Sequence, residues 1–281
     1  MNSKRFYDCL VAQILRFAPN PFGRYRHRYE FFQRVKDSNL TLQGRIRHSG
    51  VRVPLNLGDY VQYWMFMDGA YEHRLVDFLC PRVKGKVLFD VGANVGSYTL
   101  SLAKSARQIY SFEASPSNCQ ILKGFVEHAG LANIEIVNKA IADSCGQEIS
   151  LFTSPYASGA HSQFYDFGTG HETVTSMTLD QFAKDKKIGK VDVIKMDIEG
   201  SELRAFQGAE QILRASRPLL LVEFNALVAT QAGWKLSELY DLLRQYGYRT
   251  CELRRRKLMP FDEARLSDPN CFANLIFLHD S

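Results

Sequence analysis

Two short runs combine acids and glycines in a way that could do chemistry. The first is Asp90-Val-Gly92-Ala-Asn94-Val-Gly96, directly after the apolar residues Val87, Leu88 and Phe89. The second is Asp197-Ile-Glu199-Gly200, directly after Val193, Ile194, Lys195 and Met196. A glycine turn after a buried strand bends the chain tightly and lets it approach a ligand with no Cβ in the way. Glu113 ends the next apolar run, Gln108 to Phe112, where an acid is placed to hydrogen-bond the two hydroxyls of a ribose. Strand, glycine turn, helix, strand, acid is the first half of a nucleotide-binding α/β unit. A dinucleotide would want G-x-G-x-x-G, so that backbone N–H groups meet a pyrophosphate. The run here reads D-x-G-x-N-x-G. Asp90 would repel a pyrophosphate and suits an amine, which favours S-adenosylmethionine over NAD.

The second run supplies candidates for catalysis. Asp197 falls at the carboxyl end of its strand, where ligands of open α/β sheets bind. It is the first candidate for a base or positioning acid. Glu199 follows it, and Glu223 ends the apolar run Leu219 to Val222. The competing use of Asp197 and Glu199 is a helix-start cap favoured by the dipole, which would bind nothing. Lys195 in an apolar strand needs a partner if buried, and Asp197 or Glu199 is near enough in sequence to be one. His161, in the polar loop Ser154–Thr173, is an alternative base. Asn138 and Asp143 follow a third predicted strand and are placed to meet an adenine edge, with turn chemistry as the competing use. Nothing in these runs requires a metal, although Asp197 with Glu199 could hold Mg²⁺.

The elements that must position these residues are legible in outline. Residues 1–36 read as helical, broken by Pro19 and Pro21, and Ser49-Gly50 between short alternating runs signals a hairpin. Tyr60–Tyr71 is rich in aromatics, which suits core, with a lid as the other use. We divide the chain into an N-terminal extension, 1–68, and a main domain, 69–281. In the latter, helices are expected over Glu72–Leu79, Ser97–Ala106, Ser115–Ala129, Ser201–Leu213 and Lys235–Tyr246. The last strand, Ala273–His279, follows strand and loop with no crossover helix, so it should run antiparallel.

Composition narrows the class. Of 281 residues 46% are hydrophobic, enough for a proper core. Residues 1–52 hold eleven Lys or Arg against three acids, a surplus of +8, while the chain as a whole is +5. The rest therefore carries −3. A basic arm of this kind suits a solvated helix surface, nucleic acid or anionic lipid. The six cysteines form no C-x-x-C pair, which points to reduced thiols in a cytoplasmic protein. Arg16 interrupts the only early apolar stretch, so no signal peptide is expected. No run approaches the ~18 apolar residues of a membrane-spanning helix. The segment Phe6–Phe17 reads as amphipathic and is expected to pack against its own domain, with peripheral contact to a membrane surface or a partner as the other use.

Taken together, the chain resembles the FkbM-type S-adenosylmethionine-dependent methyltransferases from about Gly69 onward. The resemblance rests on Phe89-Asp-Val-Gly-Ala-Asn-Val-Gly96, Phe112-Glu113, Ala140-Ile-Ala-Asp143, Thr178-Leu-Asp180, Lys195-Met-Asp-Ile-Glu-Gly-Ser-Glu202 and Arg217-Pro218 through Glu223. It implies an α/β fold, the Rossmann-like class I methyltransferase: a seven-stranded, mostly parallel sheet with an antiparallel last strand. It also implies that Asp90, Gly92, Asn94 and Gly96 cradle the methionine end of S-adenosylmethionine and that Glu113 holds the ribose. The expected reaction is O-methylation of a hydroxyl on a sugar, glycan or natural product. A nucleic-acid acceptor would use the basic arm, but the Asn-Pro-aromatic tetrapeptide of base methylation is missing at Asp197. A non-catalytic binding module would be favoured by loss of Asp90, Gly92 or Glu113, and all three are present.

Overall fold

The structure, a computed structural model, describes residues 3–17, 24–152 and 170–279. Helices α1 (Ser3–Phe17) and α2 (Arg24–Val35) precede a hairpin of β1 (Thr41–Arg45) and β2 (Arg52–Asn56). Then come α3 (Tyr60–Asp68), α4 (His73–Leu79), β3 (Val87–Val91), α5 (Ser97–Leu102), β4 (Gln108–Glu113), α6 (Pro116–His128) and β5 (Ile134–Asn138). Strands β6 (Ala140–Ile141), β7 (Glu148–Phe152) and β8 (His171–Met177) form a small separate sheet. The chain continues through α7 (Leu179–Asp185), β9 (Val193–Met196), α8 (Glu202–Gln207), α9 (Glu210–Ala215) and β10 (Leu219–Asn225). It ends with α10 (Ala226–Gln231), α11 (Leu236–Gln245), β11 (Tyr248–Arg254), β12 (Lys257–Pro260) and β13 (Phe272–His279).

The main sheet has the order β12-β11-β13-β10-β9-β3-β4-β5. Strands β5, β4, β3, β9 and β10 are parallel, and β13 lies antiparallel between β10 and β11. This is the Rossmann-like α/β architecture, with eight described strands where seven are expected. The extra strand is β12, which folds back on β11. Arg255 (φ 46°) and Arg256 (φ 69°) are both left-handed, the pair of conformations a two-residue hairpin turn requires. Every residue of β3 is buried, as a central strand covered on both faces must be. The order reverses at β3, with β4 on one side and β9 on the other. Such a switch point opens a crevice beyond the carboxyl ends of the strands.

Local chemistry starts the helices that flank the crevice. The Ser115 hydroxyl accepts the Asn118 N–H at 3.3 Å and Pro116 occupies the first turn of α6, both favourable at a helix start. The single helix expected over Ser201–Leu213 is instead two, α8 and α9. A Cβ at Gly208 would lie 2.2 Å from the Ala142 carbonyl oxygen, so the chain is broken where its backbone meets another.

The N-terminal elements join the same core. Tyr63, Met65 and Phe66 of α3 are fully buried, in a cluster that includes Phe31 and Phe32 of α2 and Leu100, Leu122 and Phe125 of the flanking helices. Arg28, itself buried, pairs with Asp68 at 2.6 Å and donates to the carbonyls of Leu15, Arg16 and Met67. A buried guanidinium is tolerated because each face has an acceptor. Arg47 forms a bidentate pair with Asp77 at 2.5 and 2.8 Å. No described helix is long and apolar enough to cross a membrane.

Candidate active site

A cavity of about 260 Å³ sits at the switch point. The loop after β3 forms one wall through Val91, Gly92, Ala93 and Asn94, and Glu113 forms another at the end of β4. Gly92 (φ 75°) and Asn94 (φ 51°) are left-handed, which turns the loop back across the sheet end. The N–H groups of Gly92 and Ala93 both donate to the Phe112 carbonyl at 2.9 Å. Glu113 fastens the loop from the other side. One of its oxygens accepts the Asn94 N–H at 2.7 Å, and the other accepts the Ser115 N–H at 2.9 Å. Burial raises its pKa, and those backbone donors work in the opposite direction.

Lys195 lies beneath the cavity and explains itself there. Its ammonium donates to the Gly92 carbonyl at 2.8 Å and stands 3.5 Å from Asp197 and 3.9 Å from Asp90. Burial opposes its charge, yet Asp197, Asp90, Glu72 and Glu223 outweigh that and hold its pKa above the usual range. Asp90 is wholly buried and absent from the cavity lining. One of its oxygens accepts the Thr99 hydroxyl at 2.6 Å, and the other has no hydrogen-bond partner. Burial pushes its pKa up, with Lys195 pulling it down. The carboxylate that the sequence aims at a ligand amine therefore sits under the floor, next to Lys195.

Asp197, Glu199 and Glu223 come together, with carboxylate oxygens within 4.8 Å of one another. All three line the cavity. They are hard oxygen donors of the kind a Mg²⁺ or Mn²⁺ ion takes. Glu199 is left-handed (φ 50°), an unusual conformation for a residue with a side chain. Burial, then the charge of Asp197, pushes its pKa up to about 8. The same two causes raise Glu223 well above the ordinary carboxylate range.

The remaining predicted residues lie elsewhere. Gly96 caps α5, and a Cβ there would meet the Leu122 side chain at 2.3 Å, so its role is close packing. Asn138 donates to the carbonyls of Glu113 (3.0 Å) and Ala114 (2.8 Å), bracing the end of β4 from outside the lining. Asp143 is at the surface, paired with Arg204 at 3.0 Å. It is held there because its turn docks on α8, and Lys139, Ala140 and Ile141 face the cavity instead. His161 lies outside the described residues.

Three lining residues have no sequence signal of their own. Glu72 is left-handed (φ 53°) and accepts from the Tyr98 hydroxyl and the Asn274 amide, both at 2.8 Å. Tyr60 and Tyr71 stand edge to face, 6.1 Å apart. The apolar run they belong to reads as core, and most of it is.

The lining thus holds five carboxyl groups, Glu72, Glu113, Asp197, Glu199 and Glu223, against Lys195 and Lys139. Lys139 already donates to the Thr175 hydroxyl. Burial raises the pKa of Glu72, Glu113, Glu199 and Glu223, so a ligand carrying positive charge would draw them toward the ionised form, whereas a pyrophosphate would find no matching partner. S-adenosylmethionine, with its sulfonium and its amine, fits that chemistry.

Comparison with known proteins agrees. The hexuronic acid methyltransferase AglP of Haloferax volcanii is 25% identical over 190 residues, which cover 67% of this chain and 77% of that protein. Among solved structures, the methyltransferase FkbM from Methylobacillus flagellatus KT is 14% identical, with a TM-score of 0.47 over 99% of this chain and 60% of that one. A Streptococcus mutans protein in complex with SAH is 10% identical, with a TM-score of 0.43 over 73% of this chain and 96% of that one. The family model described as the methyltransferase FkbM domain matches residues 90–250, more than half of the sequence, and holds every residue of the cavity lining except Tyr60, Val61, Tyr71 and Glu72. The chain belongs to the FkbM methyltransferase family, and is an S-adenosylmethionine-dependent methyltransferase.

Proposed function

We propose that the protein transfers the methyl group to a hydroxyl of a sugar or glycan. The observation that carries this is Asp197 at the carboxyl end of β9, inside the cavity, beside Glu199 and Glu223. S-adenosylmethionine supplies a methyl group already made electrophilic by its sulfonium. The chain has then to bind, align an oxygen and remove its proton. Glu113 and the loop Val91–Asn94 hold the nucleoside, and the acid cluster faces its positive charge. Asp197 receives the hydroxyl proton, with Glu199 and Glu223 positioning the acceptor. Tyr60 and Tyr71 offer flat apolar faces, against which a sugar ring can lie while water is kept out.

The relative named above acts, by its name, on hexuronic acid. In this cavity a substrate carboxylate would join five acidic groups, so the acceptor position suits a neutral hydroxyl. The test is to incubate the protein with methyl-labelled S-adenosylmethionine and fractionated extract. Label in a glycan fraction that survives mild base is the expected ether. Base-labile label would mean a methyl ester and overturn the hydroxyl assignment, and label in nucleic acid would overturn the acceptor class.

Cofactor binding can be checked separately. Glu113→Ala removes a carboxylate from the ribose position and releases the Asn94 N–H. Charge-assisted hydrogen bonds contribute about 1.5–3 kcal/mol each, so affinity should fall on the order of 100-fold. Unchanged affinity by calorimetry would remove Glu113 from the binding site.

A further inference from the structure

Helix α1 faces solvent with its apolar side. Phe6, Tyr7, Leu10, Ile14 and Phe17 are each between 50% and 74% exposed. At 100° per residue they fall within one arc of the helix, and Asp8 and Ala12, on the opposite arc, are buried. An ordinary surface helix has the reverse arrangement. Contiguous exposed apolar area of this kind marks an interaction surface.

The surroundings say what covers it. Arg34 lies over the Tyr7 ring at 5.0 Å, and Arg16 lies near the Phe17 ring at 5.5 Å. A guanidinium therefore flanks each end of the stripe. Asp8, the only acid of α1, is buried and paired with Arg34 at 2.8 Å. Beyond Phe17 an open pocket of about 310 Å³ is lined by Arg16, Arg45, Arg47 and His48, with Asp68, already paired to Arg28, as its one acid among the described residues. Arg47 and His48 share Asp77, whereas Arg45 has no carboxylate partner among the described residues. Arg16 donates to the Arg45 carbonyl at 3.2 Å and lies over the Phe66 ring at 4.7 Å, which sets Arg16 beside Arg45 at this end of the helix.

We propose that this face docks the protein on an anionic lipid surface. Phe6, Leu10, Ile14 and Phe17 enter the acyl boundary, while Arg45, at the rim of the pocket, takes a headgroup phosphate. Apolar side chains flanked by cations are the pattern of an interfacial helix. A second copy would set arginine against arginine. Nucleic acid needs cations where Leu10 and Ile14 stand.

The test is sedimentation of the full-length protein with vesicles of phosphatidylcholine alone or mixed with phosphatidylglycerol. Wild type should sediment with the mixed vesicles, less so as salt is raised. Leu10→Glu with Ile14→Glu should weaken that binding by at least about tenfold. Both positions are exposed, so circular dichroism should match wild type. Arg45→Gln, read on its own, should lose the preference for phosphatidylglycerol over phosphatidylcholine. Wild type left in the supernatant, wild-type binding by the double variant, or competition by free inorganic phosphate alone would overturn the proposal. Dimers without lipid, or RNA binding, abolished by the same double variant would assign the face to those partners instead.

Discussion

Gly92→Ala is expected to lower the stability of the fold severely. A Cβ at this position would lie 1.8 Å from the Asp197 carbonyl oxygen, 2.8 Å from its carbon and 3.0 Å from an Ile198 methyl. Two of those three atoms are backbone, and the left-handed φ of 75° would remain strained in any case. Relief would require parting β3 from β9, which pair at Val91 and Met196. That in turn would pull the Gly92 carbonyl away from the Lys195 ammonium and leave a buried charge short of a partner. Overpacking combined with backbone strain should cost on the order of 3–5 kcal/mol, a large part of the 5–15 kcal/mol that holds a typical domain together. Denaturant unfolding measures it. A wild-type midpoint would mean that the two strand ends can separate freely, and would undo the account of the crevice given above.

Asp197→Asn is expected to preserve the fold and reduce turnover. The amide keeps the shape of the carboxylate but cannot accept a proton, and general-base catalysis contributes about 10²–10⁴ in rate. We therefore expect kcat to fall within that range, with cofactor affinity changing far less. A second effect follows from the neighbours. The charge of Asp197 helps hold the Glu199 pKa up at about 8. Removing it should move Glu199 down, and the corresponding limb of the pH–rate profile should shift to lower pH. Full activity with an unmoved profile would take Asp197 out of the mechanism.

What could be read in advance follows a physical divide. Strands β3, β4 and β9 were legible because central strands are largely apolar, and an acid, Asp90, Glu113 or Asp197, stands at or beside the carboxyl end of each. Asp197 and Glu223 could each be read as polar groups at or beside a strand end, but that the two strand ends and the turn carrying Glu199 meet is seen only in the fold. Glu72 was not legible, since its left-handed backbone has no residue signature and its partner Asn274 is far along the chain. The break at Gly208 comes from a carbonyl more than sixty residues earlier, which no periodicity reports. The β11–β12 turn uses two arginines where glycine or asparagine would have announced it. Asp90 shows the same limit at the site. Its position at a strand end was readable, but whether it faces the cavity or the Lys195 ammonium depends on Thr99 and on the neighbouring strand.

Arg28 and Arg47 bear on how this chain could change over generations. Arg28 joins the carboxyl ends of α1 and α3, and Arg47 ties the hairpin to Asp77 of α4. Losing Asp77 alone would strand a half-buried guanidinium. Losing Asp68 alone would do the same to a buried one. Each pair should therefore be inherited together, or replaced together by apolar residues of similar volume. A relative that acquired a different N-terminal arm by recombination would have to bring its own partner for Asp77. The arm is thus expected to stay constant at its fastenings.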